Sequence, residues 1–161
     1  MKNIAIIFKI SFIFILVFNP IGLTRKVLAT GICGSGSWVP GNLEIHHIDV
    51  GQGDSALIVG PTGKSLLFDA GETNWNSSAK AQIIGPYIES VLGCKALDYV
   101  VISHFHLDHI GYVGYGGLWN LVEVQGFTVG STLVRNYNTH LGDSSGTFSN
   151  WKTYLEGAGQ I

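Results

Sequence analysis

Charged residues are scarce in this 161-residue chain, at 12% of the total, whereas hydrophobic residues make up 46%. A chain this apolar is not a disordered tail, and its length provides one hydrophobic core rather than two. A low content of Ala, Glu, Lys, Leu and Arg excludes a coiled coil, and 22 glycines without a regular period exclude a collagen-like helix. The sequence therefore predicts one domain or part of one.

Basic residues are few and unevenly placed. Of the nine, four lie in the first 29 residues, which contain none of the eleven acidic residues. The remaining 132 residues therefore carry a net charge of -6. A domain this acidic lacks the positive surface with which proteins hold nucleic-acid phosphates, unless something else supplies the charge.

The first 29 residues have the pattern of a secretory signal peptide. Lys2 precedes an apolar run from Ile4 to Phe18, and Ala29 provides a small residue at the expected cleavage point. The run has about 15 residues, fewer than the roughly 20 that cross a bilayer, so we expect cleavage rather than a membrane anchor. The mature chain would begin near Thr30, without a membrane span, and would be secreted or extracytoplasmic.

Residues 30–42 are predicted to be a leader rich in Gly and Ser, and residues 43–161 the folded domain. Cys33 lies in the leader and Cys94 follows a predicted helix. In an exported chain the two can form a disulfide, but two buried or unpaired thiols fit the sequence equally well. Two cysteines alone make a poor metal site.

The first half of the domain alternates strand and turn patterns. Three apolar segments separated by Gly-rich or Pro-Thr-Gly turns predict an antiparallel meander: Leu43–Val50, Ser55–Val59 and Ser65–Phe68. Helical spacing follows from Ser78 to Leu92, where Gly85-Pro86 either kinks the helix or marks the start of a shorter one. Gly93 is expected to end it.

The second half is less regular. Residues 97–103 are predicted to form a buried strand, and residues 126–135 one or two more. From residue 136 onward the sequence is polar, and the only apolar helical face is formed by Trp151, Tyr154 and Leu155.

The segment from Ser103 to His109 holds three imidazoles and a carboxylate directly after the predicted strand. Extended backbone directs alternate side chains to the same side, so we expect His104 and His106 to converge while Phe105 and Leu107 face the core. Imidazole nitrogen and carboxylate oxygen are zinc ligands. A chance cluster of polar surface residues is the alternative, and we prefer metal ligation.

Asp108 and His109 come at the turn into a helix, where they can face a second ion. Two divalent ions about 3.5–4 Å apart would activate a bridging water and supply the positive charge that the chain lacks. Asp69, at another predicted strand end, is the expected supporting residue, since it can accept a ring N–H and fix a histidine tautomer. For His46 and His47, in the first strand, we prefer a structural role.

The sequence His104-Phe105-His106-Leu107-Asp108-His109 resembles the HxHxDH signature of the metallo-β-lactamase superfamily. Leu67-Phe68-Asp69-Ala70-Gly71 is similar to that superfamily's earlier aspartate motif. The segment from Ile48 to Ile58, with Asp-Val-Gly-Gln-Gly-Asp, resembles the hydrolase domain of ComEC-type DNA-uptake proteins and their secreted relatives. Together the resemblances cover about residues 43–121.

The resemblance implies an α+β fold, the αβ/βα sandwich, with two divalent metal ions, zinc above others. It implies that His104 and His106 hold the first ion, Asp108 and His109 the second, and that Asp69 supports the loop. The reaction would be hydrolysis by a metal-bound hydroxide, with Asp108 also catalytic, and phosphodiesters, small or in nucleic acid, would be a leading substrate class. Asp49 and Asp54, in the third motif, either cap turn backbone or act at the site.

The chain also departs from the family pattern. Relatives supply further ligands from a second half, for which His140 and Asp143 are the only late candidates here. Four ligands do not close two sites that also need an open position. We therefore expect the amino-terminal half of a longer hydrolase, inactive alone, that needs the missing carboxyl-terminal half and leaves apolar surface uncovered. A β-lactamase or lactonase of the same fold, or a non-catalytic half-domain, remains the alternative.

Overall fold

The computed structural model describes residues 33–71, 83–136 and 146–157. They form a five-stranded mixed sheet in which the strands lie side by side in chain order. The strands are β1 (Glu44–His47), β2 (Ala56–Val59), β3 (Ser65–Phe68), β4 (Ala96–Val101) and β5 (Thr128–Leu133). The α+β class predicted from the sequence is confirmed.

The first three strands form the predicted antiparallel meander. Ala56 is paired with Phe68, and Leu57 with Leu67. β3 and β4 then run parallel, as do β4 and β5. Parallel neighbours need a crossover connection, and helices provide it on both occasions.

Helix α1 (Ile84–Leu92) connects β3 to β4. Pro86 lies in its first turn, where a missing backbone N–H costs no helical hydrogen bond. The preceding positions, residues 78–82 of the longer prediction, lie outside the described residues. Gly93 ends the helix in the left-handed conformation, as predicted.

Between β4 and β5 the chain forms two short helices, α2 (Leu107–Ile110) and α3 (Gly117–Trp119). A π-helical turn, Asn120–Val124, continues α3. Residues 126–135, for which one or two strands are predicted, contain one, β5.

The hydrophobic core lies on one face of the sheet. It combines strand residues such as Leu57 and Leu67 with Ile84 and Ile88 of α1, all fully buried. Helix α4 (Gly146–Glu156) adds Trp151, which is also fully buried and donates its Nε1–H to the carbonyl oxygen of Gly111 at 2.8 Å. The predicted apolar face in the tail is therefore a core contact that supports the end of α2.

The predicted leader packs onto the fold. Backbone N–H groups of Ser37 and Trp38 donate to the carbonyl oxygens of Ser90 and Val91 at the end of α1. Cys33 and Cys94 form a disulfide, which selects one of the two alternatives that the sequence left open. The predicted signal peptide, residues 1–29, lies outside the described residues.

The other face of the sheet carries apolar side chains that are partly exposed. Cross-strand partners have their side chains on the same face, and Ile45, Phe68, Tyr99 and Leu133 share this one.

Within the described ranges, no helix has both the length and the apolar character that crossing a bilayer requires.

Candidate metal centre

The candidate site lies at the edge of the sheet where β3 and β4 end. Because these strands are parallel, Asp69 after β3 and Ser103 after β4 meet at the same edge. The Asp69 backbone N–H donates to the Val101 carbonyl oxygen at 2.9 Å, which continues the strand pairing to this point. The fold thus brings together two motifs that are more than thirty residues apart in the sequence.

Asp69 is the buried anchor of the site, with 1% of its surface exposed. Its carboxylate accepts three hydrogen bonds: from Ser103 N–H at 2.8 Å, from Ser103 Oγ at 2.7 Å and from His109 Nδ1 at 2.8 Å. Its backbone φ is 56°, and among the described residues no other non-glycine has a positive φ. Such strain persists where neighbouring contacts outweigh its cost, and it is concentrated at functional sites.

The three imidazoles of the predicted motif lie together. His104 Nε2 is 3.0 Å from His106 Nδ1, and the ring centroids of His104 and His109 are 4.1 Å apart. His104 Nδ1 contacts Ser103 Oγ at 2.9 Å. In both His104 and His109, Nδ1 is therefore engaged by Ser103 or Asp69, while Nε2 of His104 faces His106 and Nε2 of His109 lies 3.9 Å from Asp108 Oδ2.

The turn at residues 51–54 supports the backbone of Asp108. The Asp54 N–H donates to the Asp108 carbonyl oxygen at 3.3 Å, and the Gly71 N–H donates to the Asp54 carbonyl oxygen at 2.9 Å. Gly53 has a φ of 99°, and a Cβ there would lie 1.8 Å from the Asp108 carbonyl oxygen. Only glycine permits this approach, so the turn positions the loop that carries the histidines.

Burial lowers the pKa of His104 below its ordinary value, and the neighbouring imidazoles of His109 and His106 lower it further. At neutral pH this imidazole is therefore uncharged. The neutral ring is the form that binds a metal ion.

The donor set fits zinc in chemistry and nearly in geometry. Two nitrogens on a tetrahedral zinc ion lie about 3.3 Å apart, close to the 3.0 Å between His104 Nε2 and His106 Nδ1. Asp108 Oδ2 is 3.9 Å from His109 Nε2, the corresponding pair for a second ion. As the side chains stand, however, no group of three or more potential ligands within the described residues is arranged to hold an ion.

The structure thus brings together all five predicted site residues, namely Asp69, His104, His106, Asp108 and His109. Leu107 corrects one prediction, because it is 37% exposed rather than in the core. The helix α2 begins at this residue, so the alternation of an extended chain ends there. Phe105, which precedes the helix, is buried as predicted.

The other predicted candidates separate into distinct groups. Asp49 accepts the Gly51 N–H at 3.0 Å, which is the turn-capping role. Asp54 is 75% exposed at its side chain, and its Oδ2 lies 4.0 Å from His109 Nδ1. His46 lies outside the cluster and contacts Tyr87 and Glu44. His140 and Asp143 lie outside the described residues.

Two features of the site were not assigned a role from the sequence. Ser103 contacts both Asp69 and His104, and Gly53 touches the Asp108 backbone. A serine directly before a histidine cluster and a second glycine in a tight turn are visible in the sequence. Neither pattern shows its partner before the chain is folded.

Comparison with known proteins gives one match. No curated protein and no solved structure matches this chain. Residues 48–123, which carry the 51–54 turn, Asp69 and the whole histidine cluster, match the family model of the metallo-beta-lactamase superfamily. The fold is accordingly consistent with a partial metallo-β-lactamase-like fold, and the match suggests a metal-dependent hydrolase, the usual activity in that superfamily.

Proposed function

We propose that the protein is a secreted hydrolase that depends on two divalent metal ions, with zinc as the best fit, and that acts on phosphodiesters. The observation that carries the proposal is the approach of His104 Nε2 and His106 Nδ1 to 3.0 Å, with His104 and His109 held from behind by Ser103 and Asp69. Imidazoles oriented in this way are typical of metal sites, where outer hydrogen bonds fix the ligating nitrogen.

In this proposal His104 and His106 hold one ion, and Asp108 and His109 hold the other. Further ligands would come from outside the described residues, where His140 and Asp143 are candidates, or from chain beyond this sequence. The bound ions would activate a water molecule and neutralise charge on the substrate. Asp108 would also hold or accept a proton in the reaction, and Asp69 orients His109.

The charges at this edge favour a small phosphodiester over a long nucleic acid. Asp54 and Asp108 add negative charge, which opposes a polyanion. Arg135 follows β5, whose carboxyl end lies beside that of β4, so it is at the same edge of the sheet. One arginine at this edge would suit a single phosphate group.

Export is supported by the amino-terminal pattern and by the Cys33–Cys94 disulfide. Disulfides persist in oxidising compartments and are rare in the cytosol. Cell fractionation with an antibody against the protein, together with amino-terminal sequencing, tests this part separately. A cytosolic protein that retains Met1 would contradict it.

The main experiment measures metal content and hydrolysis together. The protein, purified together with any chain that its gene encodes beyond Ile161, is assayed on bis(p-nitrophenyl) phosphate as isolated, after removal of metal by a chelator, and after addition of zinc. We expect turnover to vanish with the metal and to return with zinc. His106→Ala should remove turnover and zinc binding, whereas His47→Ala, which removes an exposed histidine of β1, should change neither. Turnover that survives metal removal would refute the proposal.

The same preparation separates the alternatives. Hydrolysis of a chromogenic cephalosporin or of an acyl lactone, with the phosphodiester left intact, would identify a β-lactamase or a lactonase. Two bound zinc ions without turnover on any of these substrates would instead favour a non-catalytic metal-binding domain.

A further inference from the structure

Ser103 lies between the buried carboxylate and the first histidine of the cluster. Its backbone N–H donates to Asp69 Oδ1 at 2.8 Å, and its Oγ lies 2.7 Å from Asp69 Oδ2 and 2.9 Å from His104 Nδ1. The backbone bond holds the serine in register with Asp69, so its hydroxyl has little freedom to turn away from either partner.

The direction of these hydrogen bonds follows from counting protons. A carboxylate only accepts hydrogen bonds, so the single hydroxyl proton of Ser103 is donated to Asp69 Oδ2. Oγ can then only accept from His104 Nδ1, which must carry a proton. His104 Nε2 is consequently left without a proton, and this is the nitrogen that faces His106.

Asp69 controls His109 in the same way but directly. His109 Nδ1 lies 2.8 Å from Asp69 Oδ2, and it donates its proton there. The serine hydroxyl, which contacts both Asp69 Oδ2 and His104 Nδ1, connects the same carboxylate to the second ring.

We propose that Ser103 is a positioning residue that transmits the charge of Asp69 to His104 and thereby fixes the His104 tautomer with Nε2 free to bind metal. The role in metal binding rests on the proposed function, whereas the tautomer itself does not. Nothing in the chemistry requires Ser103 to touch substrate or metal.

We call the hydrogen-bonded series Asp69–Ser103–His104 the relay. Backbone hydrogen bonds that do not involve the Ser103 hydroxyl hold the chain around it. Asp69 is paired to Val101 through its N–H, and the Ala70 N–H donates to the His109 carbonyl oxygen at 2.7 Å. Removing the hydroxyl should therefore free the His104 ring while leaving the loop in place. This makes Ser103→Ala an informative variant.

The test compares the wild type with Ser103→Ala and Ser103→Thr, and uses Ser65→Ala as the matched control. Ser65 also donates its N–H and its hydroxyl to one carboxylate, that of Asp98, but within the described part of the chain no hydrogen bond joins it to a histidine. Nitrogen-15 NMR of the imidazoles in the metal-free protein reports the tautomers, and competition with a chromophoric chelator reports zinc affinity.

We expect His104 to carry its proton on Nδ1 in the wild type and in Ser103→Thr, and to become a mixture of tautomers in Ser103→Ala. Zinc affinity should fall about 10- to 100-fold in Ser103→Ala, as for other lost outer-shell partners, and should be retained in Ser103→Thr and Ser65→Ala. Hydrolysis rates measured against pH at saturating zinc would show whether the variants differ in activity only because they bind less zinc.

A wild-type His104 protonated on Nε2, or a Ser103→Ala variant with unchanged tautomer and zinc affinity, would overturn the proposal. If the wild type bound no zinc, the proposed function would fail, but the NMR result would still decide whether the relay exists. Because the wild-type spectrum is itself decisive, a poorly folding alanine variant would not remove the test.

Discussion

The two ends of the β3–β4 pair carry nearly the same arrangement of a carboxylate and a serine. At the amino end, Asp98 accepts the N–H and the hydroxyl of Ser65 and the ammonium of Lys64. At the carboxyl end, Asp69 accepts the N–H and hydroxyl of Ser103 and the ring of a histidine. Both arrangements fasten one strand to its neighbour.

The difference lies in the third partner. The Lys64 ammonium has donors and no acceptor, so it pairs with Asp98 and water and does not accept a hydrogen bond from a further group. His109 has a second nitrogen, Nε2, which lies 3.9 Å from Asp108 Oδ2. The hydrogen-bond network at Asp98 therefore ends at the lysine. At Asp69 the network continues, because the hydrogen bond to one ring nitrogen of a histidine determines whether the other nitrogen carries a proton. We infer that the first centre is structural and that the second can support chemistry.

The environments differ accordingly. Asp69 is buried and its backbone is strained, whereas the Asp98 side chain is 19% exposed. Burial alone raises the pKa of Asp98 and is the largest single influence, but the hydrogen bonds from Lys64 and Ser65 and the charge of Lys64 together lower the pKa overall. The same pairing raises the pKa of Lys64.

The strongest test of the comparison replaces each carboxylate by its amide. In Asp69→Asn the new NH₂ group donates where the carboxylate accepted, so His109 should change tautomer and place a proton on its Nε2. We expect zinc affinity and hydrolysis to fall by about 100-fold, measured by chelator competition and by initial rates. Asp98→Asn should leave both within twofold of wild type.

Equal losses in the two variants would mean that either carboxylate acts only through global stability. Thermal unfolding of both variants, without metal and with added zinc, separates the explanations. Without metal we expect similar melting temperatures, and added zinc should raise the melting temperature of Asp98→Asn more than that of Asp69→Asn.

A second prediction concerns the turn that supports the site end of the sheet. Gly53→Ala combines a positive φ with a Cβ overlapping the Asp108 backbone, whereas Gly41→Ala has a positive φ of 91° and nothing within 4 Å of its Cβ. We expect about 1–2 kcal/mol of lost stability in Gly41→Ala. Gly53→Ala should lose at least about 1 kcal/mol more.

Hydrolysis should fall about tenfold in Gly53→Ala, because Asp108 is displaced, and should be unchanged in Gly41→Ala. Urea unfolding and rate measurements on the same samples provide both quantities. If the two alanine variants were equally stable and equally active, the turn would not position the loop.

The smallest expected effect is the change in stability with pH that Asp98 causes at the amino end of the β3–β4 pair. The folded pKa of Asp98 is below its ordinary value, so its ionised form adds stability at pH values above about 4, and this contribution is lost as the pH falls through the folded pKa. Wild type and Asp98→Asn should therefore differ in unfolding free energy by at most about 1 kcal/mol near neutrality, and less at low pH. If the difference in unfolding free energy between wild type and Asp98→Asn grew as the pH fell, the direction assigned to the pKa shift of Asp98 would be wrong.

Some features of the site could be read from the sequence because they are local. The spacing of His104 and His106 in extended chain predicts that they converge, and the parallel strand ends explain why Asp69 reaches them. The prediction that Leu107 faces the core is wrong because the alternation rule does not show where extended chain becomes helix. The buried contact of Trp151 with Gly111 could not be read either, since it joins residues 40 apart.

The sequence by itself determined the antiparallel meander, the helix end at Gly93 and the approach of His104 to His106, because each depends on residues that are close together in the chain. Only the tertiary structure decided that Cys33 and Cys94 pair, that Ser103 joins Asp69 to His104, and that Gly53 lies against Asp108. These contacts join segments whose distance apart is fixed by strand register and by packing in the core, which no local pattern encodes.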